Sequence, residues 1–281
     1  MTAVDVLKHV RKMPDADYLQ LLIRSIENRT VDGVTFPGFP DDAIQSQFVG
    51  SSGEHALTEA YYFWQLVKGI AKNTRRPVSE KTRILDFGCG WGRFLRFFWK
   101  DVDSRNLHGV DVDPDVIESC RQAGVPGTLS AIEPLGRLPF PDGHFDAVMA
   151  YSVFTHLPEH VHRHWLQEIS RVTRCGGIAV FTLESKRFLE FVRDEAPKGT
   201  HGWHMGLAKF APTIDDAIKD YEAGKFIYLP TGGGNHRPSE TYGDAAVPLK
   251  WIEANWSQWR VENYIDDQRQ FWQAVCALQR T

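Results

Sequence analysis

The sequence predicts an α/β fold, a Rossmann-like, doubly wound sheet that is mostly parallel. Three observations predict it. Apolar runs of strand length alternate with helical patterns from Arg83 to Leu183. The first run, Arg83-Ile84-Leu85-Asp86, ends in an acid and opens into Gly88-Cys89-Gly90-Trp91-Gly92, where glycines let the backbone turn sharply and approach a ligand. A second run, Asn106–Asp113, carries Asp111 roughly 20–25 residues further on, the spacing at which a carboxylate reaches ribose hydroxyls.

The elements follow in chain order. Residues 1–30 read as two short amphipathic helices, with Val4, Leu7 and Val10, then Tyr18, Leu21-Leu22 and Ile26, at helical spacing and a break at Pro14. Thr30–Asp42 reads as a loop, with Asp32-Gly33 and Phe36-Pro37-Gly38-Phe39-Pro40. A polar stretch, 45–55, leads into a helix over Ala56–Ala71, with Ser51 or Ser52 as its N-cap. Phe94–Trp99 is the helix behind the glycine turn. Pro114 and neighbouring acids open a helix over Val116–Ala123. Gly124–Ser130 leads to a third strand. Phe145–Tyr151 is the fourth, a continuous apolar run suited to a strand covered on both faces. Pro158–Thr173 is a helix and Gly177–Leu183 the fifth strand. Residues 185–248 read as a long irregular insertion with helices at Lys186–Ala196 and Thr213–Ala223, a short strand at Phe226–Leu229, and polar and aromatic loops. Trp259–Ile265 and Phe271–Leu278 read as two successive strands with no helix between them. The expected organisation is an N-terminal helical cap over 1–76, a core over 77–184, a substrate-covering insertion over 185–248, and core-completing strands over 249–281.

Asp86-Phe87-Gly88-Cys89-Gly90-Trp91-Gly92 with Gly109-Val110-Asp111 resembles the class I S-adenosylmethionine-dependent methyltransferases. Leu138–Asp146, Ser152–Leu157 and Arg171–Gly177 continue the match in the family's order, over roughly residues 80–183. Cys175 departs from the proline usual before the two glycines, and Ser130-Ala131-Ile132-Glu133 departs from the Gly-Asp-Ala step near the adenine. The resemblance implies a seven-stranded sheet with an antiparallel last strand, and S-adenosylmethionine as cofactor. Asp86 is expected at the ammonium of its methionine moiety, where an acid suits a cation and would repel a pyrophosphate. Gly88, Cys89 and Gly90 are expected to make backbone contacts, Asp111 to accept from the ribose, and Val112 and Ile132 to flank the adenine. Phe48 and Gly50 stand where the cap closes over the cofactor in relatives, and Tyr151 sits at the end of the fourth strand.

Methyl transfer is an in-line displacement, and a hydroxyl acceptor needs a base. His156, after the fourth strand, is the candidate; a hydrogen-bonded structural histidine is the alternative. His201, His204 and Tyr242 of the insertion are candidate acceptor contacts. His160-x-His162-x-His164 has the i, i+4 spacing of metal ligands but no third ligand, so no metal is expected. A net charge of −4 argues against nucleic acid as a partner. Cys89, Cys120, Cys175 and Cys276 show no C-x-x-C, which fits reduced thiols in a cytoplasm. No signal peptide is expected, and no run approaches the roughly 18 apolar residues of a membrane span. The expected partner is a small-molecule or carbohydrate acceptor, bound by a monomer or homodimer. Two other readings stay open: a non-catalytic cofactor- or partner-binding relative, and a nicotinamide oxidoreductase.

Overall fold

A computed structural model describes residues 10–200, 202–233 and 238–281. The chain forms two compact units: Met1–Glu133 with Phe145–Met149, and Pro134–His144 with Ala150–Thr281.

In the first unit, α1 (Asp15–Glu27) starts after Pro14 and buries Tyr18, Leu19, Leu21 and Leu22. Tyr18 donates to the Arg96 carbonyl at 2.7 Å and packs on Trp64, Phe36 and Phe97. Residues 30–35, expected as loop, form a small hairpin instead: β1 (Thr30–Val31) and β2 (Val34–Thr35) pair antiparallel. Asp32 and Gly33 both take positive φ, 52° and 79°, as a tight hairpin turn requires. The polar stretch after it also holds an unexpected helix, α2 (Asp42–Val49). Only Gln45 of α2 is buried, donating to the Pro40 carbonyl and accepting from Gly53 N, so no apolar stripe marks this helix. Ser52 is the N-cap of α3 (Gly53–Asn73), though its hydroxyl makes no capping bond. The buried stripe of α3 includes Leu57, Phe63, Trp64, Val67 and Ile70, each worth about 1.5–3 kcal/mol when fully buried.

Strand β3 (Ile84–Phe87) runs into the glycine turn and α4 (Arg93–Phe98). β4 (Leu107–Asp111) and α5 (Pro114–Ala123) follow. The Asp113 side chain caps α5 by accepting from Asp115 N and Val116 N. β5 (Thr128–Ala131) and β6 (Phe145–Ala150) complete the parallel part, with β3 paired to β4 and β6, and β4 to β5.

In the second unit, α6 (Glu159–Val172) leads to β7 (Thr173–Leu183). The insertion then builds α7 (Lys186–Asp194), α8 (Gly202–Ala208) and α9 (Ile214–Glu222). It ends in the antiparallel pair β8 (Ile227–Leu229) and β9 (Asp244–Ala246). Phe188, Leu189, Leu207, Ile214, Ile227 and Leu229 give these elements a core of their own. A helix absent from the sequence reading, α10 (Leu249–Asn255), precedes β10 (Trp259–Ile265) and β11 (Ala274–Arg280). β11 is antiparallel to both neighbours, β10 and β7. The fold is a seven-stranded, mostly parallel sheet with β11 antiparallel, its strands ordered β6-β3-β4-β5 in the first unit and β10-β11-β7 in the second.

Candidate functional site

The first unit presents a glycine cradle. Gly88, Gly90 and Gly92 take φ of 75°, 49° and 74°, a region that L side chains rarely adopt. Gly88 N and Cys89 N both donate to the Val110 carbonyl, at 2.8 and 2.9 Å, tying the turn to β4. At the end of β4, Asp111 accepts from Gly90 N at 2.9 Å and from Asp113 N at 3.1 Å, which fixes its carboxylate beside the turn. Ile132 N donates to the Asp111 carbonyl at 2.9 Å, bringing Ile132 alongside, and Val112 and Ile132 are both half-buried. Phe48 reaches the same turn, its ring 3.5 Å from where a Cβ on Gly90 would stand. Gly50 is the exposed left-handed residue that ends α2. A cleft of about 310 Å³ lies beside the turn, lined by Phe39, Ile44, Gln47, Phe48, Trp91 and Asp113 among others.

Asp86 is the telling group. It is 1% exposed, and its Oδ2 has no hydrogen-bond partner among the described residues. Burial pushes its carboxyl up to about 8, with Arg93 opposing and Asp111 adding to the rise. An orphaned buried carboxyl oxygen beside a glycine turn fits a ligand that brings a cation, as the ammonium of S-adenosylmethionine would. Cys89 is buried, and burial pushes its thiol well above the usual range, so it is no thiolate nucleophile. Its Sγ would be 3.0 Å from a Cβ on Gly109, so the side chain serves by its size.

The second unit gathers polar groups where β6 and β7 end. Tyr151 follows β6 half-buried. Ser152 takes φ 57°, and its N–H donates to Thr182 Oγ1 at 2.6 Å. His156 Nδ1 lies 2.8 Å from the Gly243 carbonyl and 3.6 Å from Asp244 Oδ1. Tyr242 stacks on the imidazole, with centroids 4.7 Å apart and planes within 15°. Two backbone bonds, Gly243 N to the His156 carbonyl and Ala245 N to the Thr155 carbonyl, strap this segment down. The expected site residues His156 and Tyr242 are thus brought together. His204 packs instead with Phe191, Trp203 and Gly199, and His201 lies outside the described residues.

Three further residues join this cluster, one of them Glu184, the strand-end acid that the sequence offers as an inward-pointing group. Asp244 is 3% exposed and accepts from Thr231 Oγ1 at 2.6 Å and Trp203 Nε1 at 3.4 Å. Glu184, at the end of β7, is 5% exposed, and Gln273 Nε2 donates to it at 3.2 Å and to Ser152 Oγ at 3.0 Å. An acid closing the apolar run of β7 was the available signal for Glu184. Asp244 is marked only by standing just before a small apolar run, Ala245-Ala246-Val247. His162, the middle histidine of the three in the histidine-rich pattern, is fully buried and bonded to the Phe154 carbonyl. No group of three or more metal-ligating side chains occurs among the described residues. No helix among them is long and apolar enough to cross a membrane.

The family model for a methyltransferase domain matches residues 84–177. A 2-methyl-6-phytyl-1,4-hydroquinone methyltransferase from Synechocystis is 32% identical over 35% of this chain and 31% of its own length. A malonyl-[acyl-carrier protein] O-methyltransferase from Paenibacillus is 27% identical over 51% of this chain and 55% of its own. The chain thus spans about half the length of these curated relatives or less. In fold, it is similar to an S-adenosylmethionine dependent methyltransferase from Mesorhizobium loti, with a TM-score of 0.53 and 14% identity over 78% of this chain and 98% of that one.

Proposed function

This chain belongs to the class I S-adenosylmethionine-dependent methyltransferases, and from that premise we propose that it methylates a hydroxyl of a small molecule or sugar. The observation that carries the hydroxyl reading is the hydrogen bond from His156 Nδ1 to the Gly243 carbonyl. A carbonyl only accepts, so Nδ1 holds the proton and Nε2 of the neutral ring is the basic nitrogen. The stacked Tyr242 ring and the buried Asp244 side chain hold the imidazole in that orientation.

Bound S-adenosylmethionine supplies an electrophilic methyl group on sulfur. Asp86 holds its ammonium through the oxygen that now has no partner. Asp111, oriented by Gly90 N and Asp113 N, would accept from the ribose hydroxyls. Gly88, Cys89 and Gly90 offer backbone contacts, Val112 and Ile132 flank the adenine, and Phe48 covers the turn. Tyr151 completes the cofactor contacts, and Tyr242 is the insertion's contact to the acceptor. His156 would accept the proton of the acceptor hydroxyl at Nε2. One matched relative is an O-methyltransferase by name, which supports an oxygen acceptor here. The scattered free cysteines support a reducing compartment such as the cytoplasm.

Two measurements test this reading. Calorimetric titration with S-adenosylhomocysteine should show binding to wild type that Asp111→Ala abolishes. Turnover of S-adenosylmethionine with a panel of phenols, sugars and hydroxy acids should then give O-methyl products. Methyl transfer to protein or RNA alone would refute the small-molecule acceptor.

A further inference from the structure

Among the described residues, Gln273 leaves a buried hydrogen-bond acceptor unmet beside the buried Glu184 carboxyl, at the end of β7. The Glu184 side chain is 95% out of solvent by its 5% exposure, and among the described residues the one donor bonded to its carboxylate is Gln273 Nε2, on Oε1. Gln273 spends its amide N–H groups on Glu184 and Ser152, while its own Oε1 is buried and unpartnered. A buried acceptor left unmatched is costly, and a ligand donor would meet it. This position is where ligands bind in open α/β sheets, outside the carboxyl ends of the strands.

The charges around Glu184 point the same way. Asp244 and Asp266 both disfavour its ionised form. Arg187 attracts it, but that guanidinium is committed to Asp266 through a 2.6 Å hydrogen bond. Burial adds the largest contribution, and together they push the carboxyl up to about 8. A hydroxyl would bring one donor and no charge. An ammonium would bring three donors and the missing positive charge.

Resting on the methyltransferase reading above, we infer that Glu184, supported by Gln273, recognises a protonated amine on the acceptor. Glu184 is a specificity-determining residue in this scheme, and the acceptor is an amine-bearing hydroxyl compound. An exposed aromatic, Trp203, donates to Asp244 and stacks with Phe191 at 5.5 Å, a surface suited to the rest of a cationic acceptor.

The test uses full-length protein saturated with S-adenosylhomocysteine. Hydroxylated primary amines are titrated against isosteres in which a hydroxyl replaces the amine, beginning with tyramine and tyrosol and with amino alcohols and diols. Wild type should bind the amines at least ~10-fold more tightly than their isosteres, and Glu184→Gln should lose that preference. Affinity for S-adenosylhomocysteine should be the same in both proteins, which separates lost recognition from lost folding. Equal binding of amine and isostere by wild type, binding of neither, or an undiminished preference in Glu184→Gln would overturn the inference. Failure of wild type to bind S-adenosylhomocysteine would instead strike the methyltransferase reading itself.

Discussion

The Gly243 carbonyl lies 2.8 Å from Nδ1 of His156, although 87 residues separate them. That contact, more than the presence of a histidine after β6, assigns the ring its tautomer. It follows that His156→Ala should lower kcat by about 10²–10⁴-fold, the usual worth of a general base, with little change in affinity for S-adenosylhomocysteine. The check is steady-state kinetics paired with calorimetry. A variant with unchanged kcat would return His156 to a structural role.

Gly243 is equally constrained. A Cβ there would stand 2.4 Å from the Leu229 carbonyl oxygen and 2.7 Å from Tyr228 Oη. The carbonyl is in β8 and cannot swing aside as a side-chain end can. Gly243→Ala should therefore displace the strap from His156, costing about 1–3 kcal/mol of stability as an overpacked site does. Thermal melts and turnover read the two effects together. Full activity in a stable variant would mean that the strap does not set the ring.

The strands of the core were legible because apolar runs such as Phe145–Ala150 admit few other structures. Asp86, the glycines and Asp111 were legible because close backbone approach and carboxylate chemistry leave marks at short range. What escaped notice depends on distance or on single residues. Helix α2 buries Gln45 alone, and α8 buries Leu207 alone, so neither carries a periodic stripe. The two-residue strands flanking Asp32-Gly33 are too short to alternate visibly. Asp244 earns its place only through Thr231, Trp203 and His156, which no local pattern connects.

His162 shows a second histidine under opposite constraints. It is enclosed by Phe154, Phe226, Trp251 and Trp256, and its Nε2 donates to the Phe154 carbonyl at 2.7 Å. Burial pushes its ring down to about 3, with the bond to Phe154 opposing. The folded pKa is below the unfolded value near 6.5, so the neutral ring's contribution is present above that value and lost as pH falls toward 3. His162→Phe should flatten the fall of Tm between pH 6.5 and 4, while costing about 1–3 kcal/mol at neutral pH for the hydrogen bond to the Phe154 carbonyl that is lost. Melting curves across that range would show it. Parallel pH profiles for the two proteins would contradict a buried neutral ring.

Asp86 brings stability and binding into conflict. Its carboxyl, near 8 when folded and near 3.8 when unfolded, contributes stability that is fully present at low pH and lost as pH rises through about 8. Glu184 titrates in the same window, so the informative quantity is the difference between wild type and Asp86→Asn. Without ligand, the variant should keep more of its Tm than wild type as pH rises from 5 to 9, because an amide has no proton to lose. With ligand the order reverses. The ammonium of S-adenosylhomocysteine needs the ionised carboxylate, so wild-type affinity should rise as pH approaches 8, and the variant should bind at least ~10-fold more weakly with no such rise. Matched melting and calorimetric series would show both trends. A variant that binds as tightly as wild type at every pH would remove Asp86 from the ammonium and leave its burial without a ligand to match.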